Sequence, residues 1–378
     1  MIRYCGYAKK YIMKNEIKIL LTSDLHLGMN GVDPVVPENI RMNTFKKITA
    51  LAQEHDLLLI AGDLFDSTNV SRELVEQVAG EFQSVRDQGT EIVYCPGKGE
   101  LDSRGVIADF IYDLHASCLF SNPVSSDPFT VQRGKQTLHI YGIPPSPEFD
   151  LSRIKKEADD GFHLGLFHTE FNNNKSRSGF RNLNLDFYAL GSNHDFKMFK
   201  VFEKIIGAFP GSPEAVTAEE TGDRYVISLL LKDNEVFQIK RLTVNSIRLK
   251  KVEIDCSSYS SARALRDHLM GHASQKEIAT VTLNGARNFS FGNEIDVLRS
   301  RFFDLFIIDN SRPTLESLIV SYGMEDSIRG NFYAILQEHM ERQPIRDDLA
   351  DNLAAALNVL TVDGLSALED WLCAISDV

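Results

Sequence analysis

The chain has 378 residues, 43% of them hydrophobic, which suggests roughly two to three domains with at least one sizeable core and excludes a disordered or low-complexity class. Its formal charge of -13, from 40 Lys+Arg against 53 Asp+Glu, argues at first sight against a nucleic-acid binder. The charge is unevenly placed, however: residues 311–378 hold 4 basic residues against 12 acidic ones and residues 245–310 hold 9 against 8, so a local basic surface stays open.

Met1 to Lys18 is broken by Lys9, Lys10, Lys14 and Glu16, unlike the apolar stretch of a signal peptide, and residues 1–16 read as a short extension. No apolar run approaches the ~20 residues of a membrane span. The five cysteines (Cys5, Cys95, Cys118, Cys256, Cys373) are odd in number, widely spread and without a C-x-x-C pair. They read as reduced thiols of a cytoplasmic protein rather than as a disulfide frame or zinc site.

The first strand spans Ile17 to Leu21 and leads into Ser23-Asp24-Leu25-His26-Leu27-Gly28. After a polar loop, a helix is expected from about Asn43 to Glu54, with Phe45, Ile48, Leu51 and Ala52 on its apolar face. Four consecutive aliphatics, Leu57 to Ile60, then read as a buried strand delivering Ala61-Gly62-Asp63-Leu64-Phe65-Asp66 into a loop at its carboxyl end, where open α/β sheets hold ligands. A helix over Ser71 to Gln88 and a strand over Glu91 to Cys95 complete a β-α-β-α-β rhythm, and the third strand runs into Pro96-Gly97-Lys98-Gly99-Glu100. Further strands are expected at Thr137–Gly142, Phe162–Phe167, Phe187–Leu190 and Lys204–Phe209. Two of them end on histidines, His168 and His194.

Alone, a histidine at a strand end is usually a satisfied surface or core group. Here Asp24, His26, Asp63, His168 and His194 form a set of oxygen and nitrogen donors leaving one edge of one sheet, which suits Mn, Fe or Zn. Asp24 also reads as a helix cap, but Asp-x-His directly after a strand is a poor cap and a good chelate. Asp66 reads equally as an acceptor that orients a ligand or as a cap. His55, His115, His139, His163, His268, His272 and His339 lack such company and read as structural. Between the two histidine-bearing strand ends, residues 172–181 form a polar, basic loop, either a solvated surface or a flap whose Lys175, Arg177 and Arg181 meet backbone phosphates.

Asp-x-His, Gly-Asp-x-x-Asp, a Pro-Gly turn after the third strand, a late His and Gly-x-x-His resemble the calcineurin-like metallophosphoesterase superfamily. Phe209-Pro210-Gly211-Ser212-Pro213-Glu214, followed by a hairpin at Arg224 to Leu242, is similar to its SbcD-type DNA repair exonuclease branch. The resemblance covers roughly residues 17–250. It implies an α/β layered sandwich, two cations of the Mn²⁺ (or Fe, Zn, Mg) kind bridged by Asp63, and hydrolysis of DNA phosphodiesters.

By resemblance the first ion takes Asp24, His26, Asp63 and His194, all present. The second retains only Asp63 and His168, because Lys98 stands where the family has Asn and Ser192 where it has His. The family's general-acid histidine aligns with Gly99, and the Asp that orients it aligns with Glu100. One well-held ion is therefore expected, with the Lys98 ammonium partly substituting for the second and contacting phosphate, and Asn193, His163 or an asparagine of 172–174 as replacement ligands. A lapsed scaffold that holds DNA or an ATPase is the alternative to a weakened nuclease.

Beyond the basic stretch Arg241 to Lys251, a second β-α-β-α-β run is expected: Lys251–Cys256, Ser260–Met270, Ile278–Leu283, Glu294–Phe303 and Leu305–Asp309. This small α/β unit is similar to the family's capping domain. From Ser311 the chain reads as acidic helices, with apolar stripes at Phe332, Ile335 and Leu336, at Leu349, Leu353, Ala356, Leu357 and Leu360, and at Leu365, Leu368, Trp371 and Leu372. The division expected is thus 1–16 extension, 17–244 phosphoesterase domain, 245–310 cap and 311–378 helical tail. Implied partners are DNA, an SMC-like (SbcC-type) ATPase docked on the tail helices, and a second copy of the chain as a homodimer.

Overall fold

The computed structural model describes residues 15–29, 35–122, 127–145, 151–156, 161–169, 180, 182–201, 204–289, 291–326 and 328–342. These residues divide after Arg248 into two compact units. The first unit opens with the expected alternation: β1 (Glu16–Thr22), α1 (Glu38–Ala52), β2 (Leu57–Ala61), α2 (Arg72–Asp87) and β3 (Glu91–Cys95). It continues through β4 (Cys118–Leu119), β5 (Phe129–Arg133), β6 (Gln136–Gly142), β7 (Phe162–His168), β8 (Phe187–Gly191), β9 (Lys197–Val201), β10 (Lys204–Phe209), and the hairpin β11 (Tyr225–Lys232) with β12 (Glu235–Thr243).

Two six-stranded sheets result, in the orders β12-β11-β1-β2-β3-β4 and β5-β6-β7-β8-β10-β9. In the first, β1 to β4 are parallel and the hairpin adds antiparallel to β1. In the second, β6, β7, β8 and β10 are parallel and the flanking β5 and β9 are antiparallel.

Side-chain alternation explains why these sheets stack. Leu57, Leu59 and Ala61 of β2 face the second sheet and meet Ile140, Leu164 and Leu166 in one core. Leu58 and Ile60 face the other way, onto Phe45 and Ile48 of α1 and Val78 and Phe82 of α2. The outer face of the second sheet, with Tyr141, Phe167 and Tyr188, is covered by Leu151, Ile154, Phe180 and Leu183. The unit is therefore a layered α/β sandwich whose central strands are buried on both faces, which is why they read as unbroken aliphatic runs. The Ser71 hydroxyl starts α2 by accepting from the Leu74 amide at 3.2 Å.

Some boundaries differ from expectation. Helix α1 begins at Glu38, five residues before Asn43, because Pro37 sets the entry and Glu38 places an acid at the positive helix end. Strands β4, β5 and β9, each at a sheet edge, lack the two-sided aliphatic signature and have no counterpart in the pattern reading.

The second unit comprises β13 (Arg248–Asp255), α3 (Ala262–Met270), β14 (Glu277–Asn284), β15 (Ala286–Arg287), α4 (Gly292–Arg299), β16 (Asp304–Asp309), β17 (Arg312–Pro313), α5 (Leu315–Tyr322) and α6 (Ile328–Arg342). Its sheet runs β13-β14-β16, and Ile254, Leu265, Leu269, Val281 and Leu298 form its core. On α6, Tyr333 is buried and stacked on Tyr322 with ring centroids 6.1 Å apart, whereas Ile335, of the same apolar stripe, is 67% exposed. The later stripes, from Leu349 to Leu372, and residues 1–14 lie outside the described residues. Among the described residues no helix is long and apolar enough to cross a membrane.

Because Leu59 sits fully buried between the sheets, Leu59→Ala should cost about 2–5 kcal/mol of unfolding free energy, read from the urea midpoint at unchanged m-value.

Candidate metal centre

Strands β1 and β2 run parallel, and the loops leaving their carboxyl ends bond to each other. The Asp24 amide donates to the Gly62 carbonyl at 3.0 Å, His26 to Asp63 at 3.0 Å, Leu27 to Leu64 at 2.9 Å, and Asp66 back to Leu27 at 3.0 Å. Within this double loop Asp24, His26 and Asp63 all adopt left-handed backbone, with φ of 52°, 49° and 47°. Such conformations are unfavourable for residues with a Cβ and persist where surrounding bonds enforce them, commonly at functional sites.

The second sheet brings its own strand ends to the same edge. A Cβ on Gly191, the last residue of β8, would lie 1.8 Å from the Ala61 carbonyl oxygen, so only glycine permits this approach. His168, the last residue of β7, donates from Nδ1 to that same carbonyl at 2.9 Å.

All three imidazoles are tethered in one way. His26 Nδ1 lies 3.0 Å from Asp66 Oδ1, His194 Nδ1 lies 2.8 Å from Glu220 Oε1, and His168 Nδ1 faces Ala61. Carboxylates and carbonyls only accept, so each Nδ1 carries a proton and each Nε2 is turned into the site, where it offers a lone pair once it is unprotonated. The Nε2 atoms of His26 and His194 then face each other at 3.3 Å, a repulsive arrangement unless a proton or a cation stands between them.

Carboxylates complete the set. His168 Nε2 is 3.3 Å from Asp63 Oδ2, His26 Nε2 is 4.0 Å from the same oxygen, and His194 Nε2 is 3.9 Å from Asp24 Oδ1. Two donor groups emerge whose ligand atoms lie within 4.8 Å of one another: Asp24, His26 and His194, and Asp24, Asp63 and His168. Asp24 is common to both, while Asp63 Oδ2 spans His26 and His168. Asp24 is held by the Ser192 amide at 3.0 and 3.2 Å, and Asp63 Oδ1 accepts from the Gly99 amide at 3.1 Å. The donor set, mixed imidazole and carboxylate with tethered imidazoles, fits a borderline divalent cation.

Electrostatics follow from burial. Desolvation raises the pKa of Asp24 despite the nearby His168. For His168 burial acts downward, but the hydrogen bond and charge of Asp63, with Asp24 and the Ala61 carbonyl, carry it up to about 9. The hydrogen bond that His194 donates to Glu220 raises its pKa. Burial would raise Glu220 in turn, yet the bonds from His194, the Val216 amide and Ser212 bring it down to about 2.

The structure thus brings together Asp24, His26, Asp63, His168 and His194. Asp66 acts as the acceptor that orients His26, and is no cap, since α2 begins under Ser71. Other candidates fall elsewhere. His163 is buried near the opposite end of β7, stacked on His139 at 5.0 Å and bonded to Tyr141 at 3.0 Å, so it is no replacement ligand. Asn193 turns its Oδ1 to the Asp195 amide at 3.1 Å. Lys98 is exposed and makes no ion pair with Asp63 among the described residues, so its ammonium does not fill the second ion's place; the Gly99 amide meets Asp63 instead. Glu100 is buried and accepts from the Phe65 amide at 2.9 Å, the Gly97 amide at 2.7 Å and the Tyr94 hydroxyl, which makes it a brace for the turn. Lys175, Arg177, Arg181 and Asn172 to Asn174 lie outside the described residues. Sequence reading missed Glu220 and Arg224, which no local motif announces.

Residues 17–97 match the model of the calcineurin-like phosphoesterase family, the span that carries Asp24, His26 and Asp63. The chain carries a calcineurin-like metallophosphoesterase domain. It is 22% identical over 277 residues to the uncharacterized metallophosphoesterase YhaO of Bacillus subtilis (strain 168), covering 67% of this chain and 66% of the relative. Two double-strand break repair proteins MRE11 are each 41% identical over shorter stretches: 99 residues of the Encephalitozoon cuniculi protein, covering 26% of this chain and 16% of the relative, and 66 residues of the Coprinopsis cinerea protein, covering 17% and 9%. The chain therefore spans less than two thirds of each relative's length.

Gly99 closes one option in this phosphoesterase domain. A Cβ there would lie 2.6 Å from the Asp66 carbonyl oxygen, so the backbone leaves no room for any side chain, including the histidine the resemblance puts there. Gly99→Ala is expected to lower stability by about 1–3 kcal/mol through the forced shift of this turn, seen as a lower midpoint in thermal melts.

The raised His168 has a pH consequence. A histidine with a folded pKa near 9 holds its proton below that pH, and a cation needs the bare Nε2, so binding expels the proton and affinity weakens as pH falls below 9. Mn²⁺ calorimetry at pH 7.5 in buffers of different ionisation enthalpy should show release of about one to two protons, and affinity should fall roughly tenfold per pH unit for each proton released.

Proposed function

We propose that the chain is an SbcD-like nuclease subunit that hydrolyses DNA phosphodiesters with Mn²⁺-type cations and without a protein proton donor for the leaving oxygen. The observation that carries this reading is the convergence of three tethered Nε2 atoms on Asp24 and Asp63 at the shared edge of two sheets. Asp24, His26 and His194 would hold one cation, and Asp63 and His168, with Asp24, a weaker second. Cations there would polarise phosphoryl oxygens and lower the pKa of water.

The chain's own residues do the positioning. The Ser192 amide fixes Asp24, the Gly99 amide turns Asp63 Oδ2 toward the imidazoles, and the paired loops hold three ligands in left-handed backbone. With Gly99 closed to a side chain, protonation of the leaving oxygen falls to solvent, and loss of general acid catalysis typically costs about 10²–10⁴-fold. DNA, which expels a sugar alkoxide, suffers this loss in full, whereas an aryl diester expels an anion that needs no proton.

Likeness to two MRE11 proteins supports DNA as substrate, and Lys175, Arg177 and Arg181 are assigned to its phosphates on sequence alone. Residues 17–244, 245–310 and 311–378 are read as catalytic domain, cap and partner-binding tail in a cytoplasmic protein. Val320, Met324 and Ile335 are exposed by 84%, 99% and 67% on and beside α5 and α6, which suits an SMC-like, SbcC-type ATPase. The closed Gly99 position favours one second reading, a lapsed scaffold that binds DNA without cutting it.

Mn²⁺-dependent hydrolysis of bis(p-nitrophenyl) phosphate and of linear DNA tests both. We expect the aryl diester to be cleaved, DNA to be cleaved more slowly, and Asp63→Asn to reduce both to background. Activity that survives Asp63→Asn overturns the metal reading, and silence toward both substrates with salt-sensitive DNA binding intact establishes the scaffold.

A further inference from the structure

The two donor groups share Asp24 but differ in what stands behind their imidazoles. Behind His26 is the Asp66 carboxylate at 3.0 Å, and behind His194 the Glu220 carboxylate at 2.8 Å. Behind His168 is only the neutral Ala61 carbonyl. An anionic acceptor makes the opposite ring nitrogen a stronger donor than a neutral one does and adds charge that favours a cation.

Glu220 is also firmly placed. Its Oε2 accepts from Ser212 Oγ at 2.8 Å and the Val216 amide at 3.0 Å, and its Oε1 accepts from Thr217 Oγ1 at 3.2 Å. Arg224, buried beside it, pairs with Glu220 at 3.5 Å and donates to the His194 carbonyl at 2.7 Å, so ring and backbone of His194 are fixed from the same few residues. A carboxylate held by so many partners cannot swing away when the site is empty of substrate.

We infer that Glu220, with Asp66, is a positioning residue that makes Asp24–His26–His194 the resident cation site, leaving Asp24–Asp63–His168 a weak site that fills only at higher cation concentration. This rests on the metal-dependent reading above and extends it to an order of loading. Because the order is a property of binding, it stands or falls without any hydrolysis.

Co²⁺ titration of the metal-stripped full-length chain, followed by visible ligand-field bands and by calorimetry, tests it. The wild type should bind in two phases. Glu220→Gln and Asp66→Asn should each weaken the tight phase about 10–100-fold, and His168→Gln should remove the weak phase while sparing the tight one. A lower melting point of metal-free Glu220→Gln with unchanged Co²⁺ affinity would mean a merely structural role and overturn the assignment, as would loss of the tight phase in His168→Gln. Should Glu220→Gln not fold, Asp66→Asn decides, since its carboxylate lies at the site's partly exposed rim; unchanged tight binding there overturns the inference equally. Two phases in the absence of any nuclease activity would uphold the loading order and discard only the catalytic reading.

Discussion

The hydrogen bond from His168 Nδ1 to the Ala61 carbonyl joins the end of β7 in one sheet to the end of β2 in the other, and the Asp24–Asp63–His168 donor group depends on it. It spans the gap between the sheet edges and fixes which nitrogen of His168 faces Asp63. The approach it requires is made possible by Gly191 and by the inter-sheet core, where Leu57, Leu59 and Ala61 interlock with Leu164 and Leu166. Strand side chains alternate with a period of two, so a slip of one residue in β2 or β7 would turn Ala61 or His168 toward the wrong layer. The apolar packing between the sheets is thus what specifies the polar geometry at their edge.

Strain at that edge is offset locally. Asp24, His26 and Asp63 in left-handed backbone cost of order 1–3 kcal/mol each. Their loops recover part of this through four mutual backbone hydrogen bonds, at roughly 0.5–1.5 kcal/mol apiece, and the rest rests on the buried strands that anchor both loops. Since paired loops and the strands behind them enforce this strain, the donors are preorganised.

Much of this was legible in the sequence. Strands β1, β2, β3, β7 and β8 announce themselves because burial on both faces demands unbroken apolar runs, and donors gathered at the ends of several such runs read together as a ligand set. His168 and His163 share one strand, yet they separate by position along it, the first at the ligand edge and the second near the far end. What stayed hidden depends on long-range approach. Glu220 reaches His194 across 26 residues with no periodicity to betray the contact, whereas Asp66, already read as an acceptor orienting a ligand or as a cap, finds that ligand in His26 across 40 residues. Edge strands β5 and β9 were likewise obscure, because one unpaired side relaxes the demand for apolar residues. Lys98 illustrates the opposite error: alignment with a ligand position suggested an inward ammonium, whereas the turn braced by Glu100 leaves its side chain exposed.

Asp66 ties the two departures of this site together. Its carboxylate stands behind His26, and its carbonyl oxygen occupies the space where a side chain at Gly99 would begin. Drawing the 97–100 turn back to admit a histidine would pull the Gly99 amide off Asp63 Oδ1, and moving Asp66 away instead would release His26. A proton donor therefore cannot be regained at this position by one substitution without disturbing a cation ligand. The same backbone that keeps the donors ready excludes the residue that would assist the leaving group, so the chemistry open to this centre is set as much by the path of two loops as by the ligands they carry.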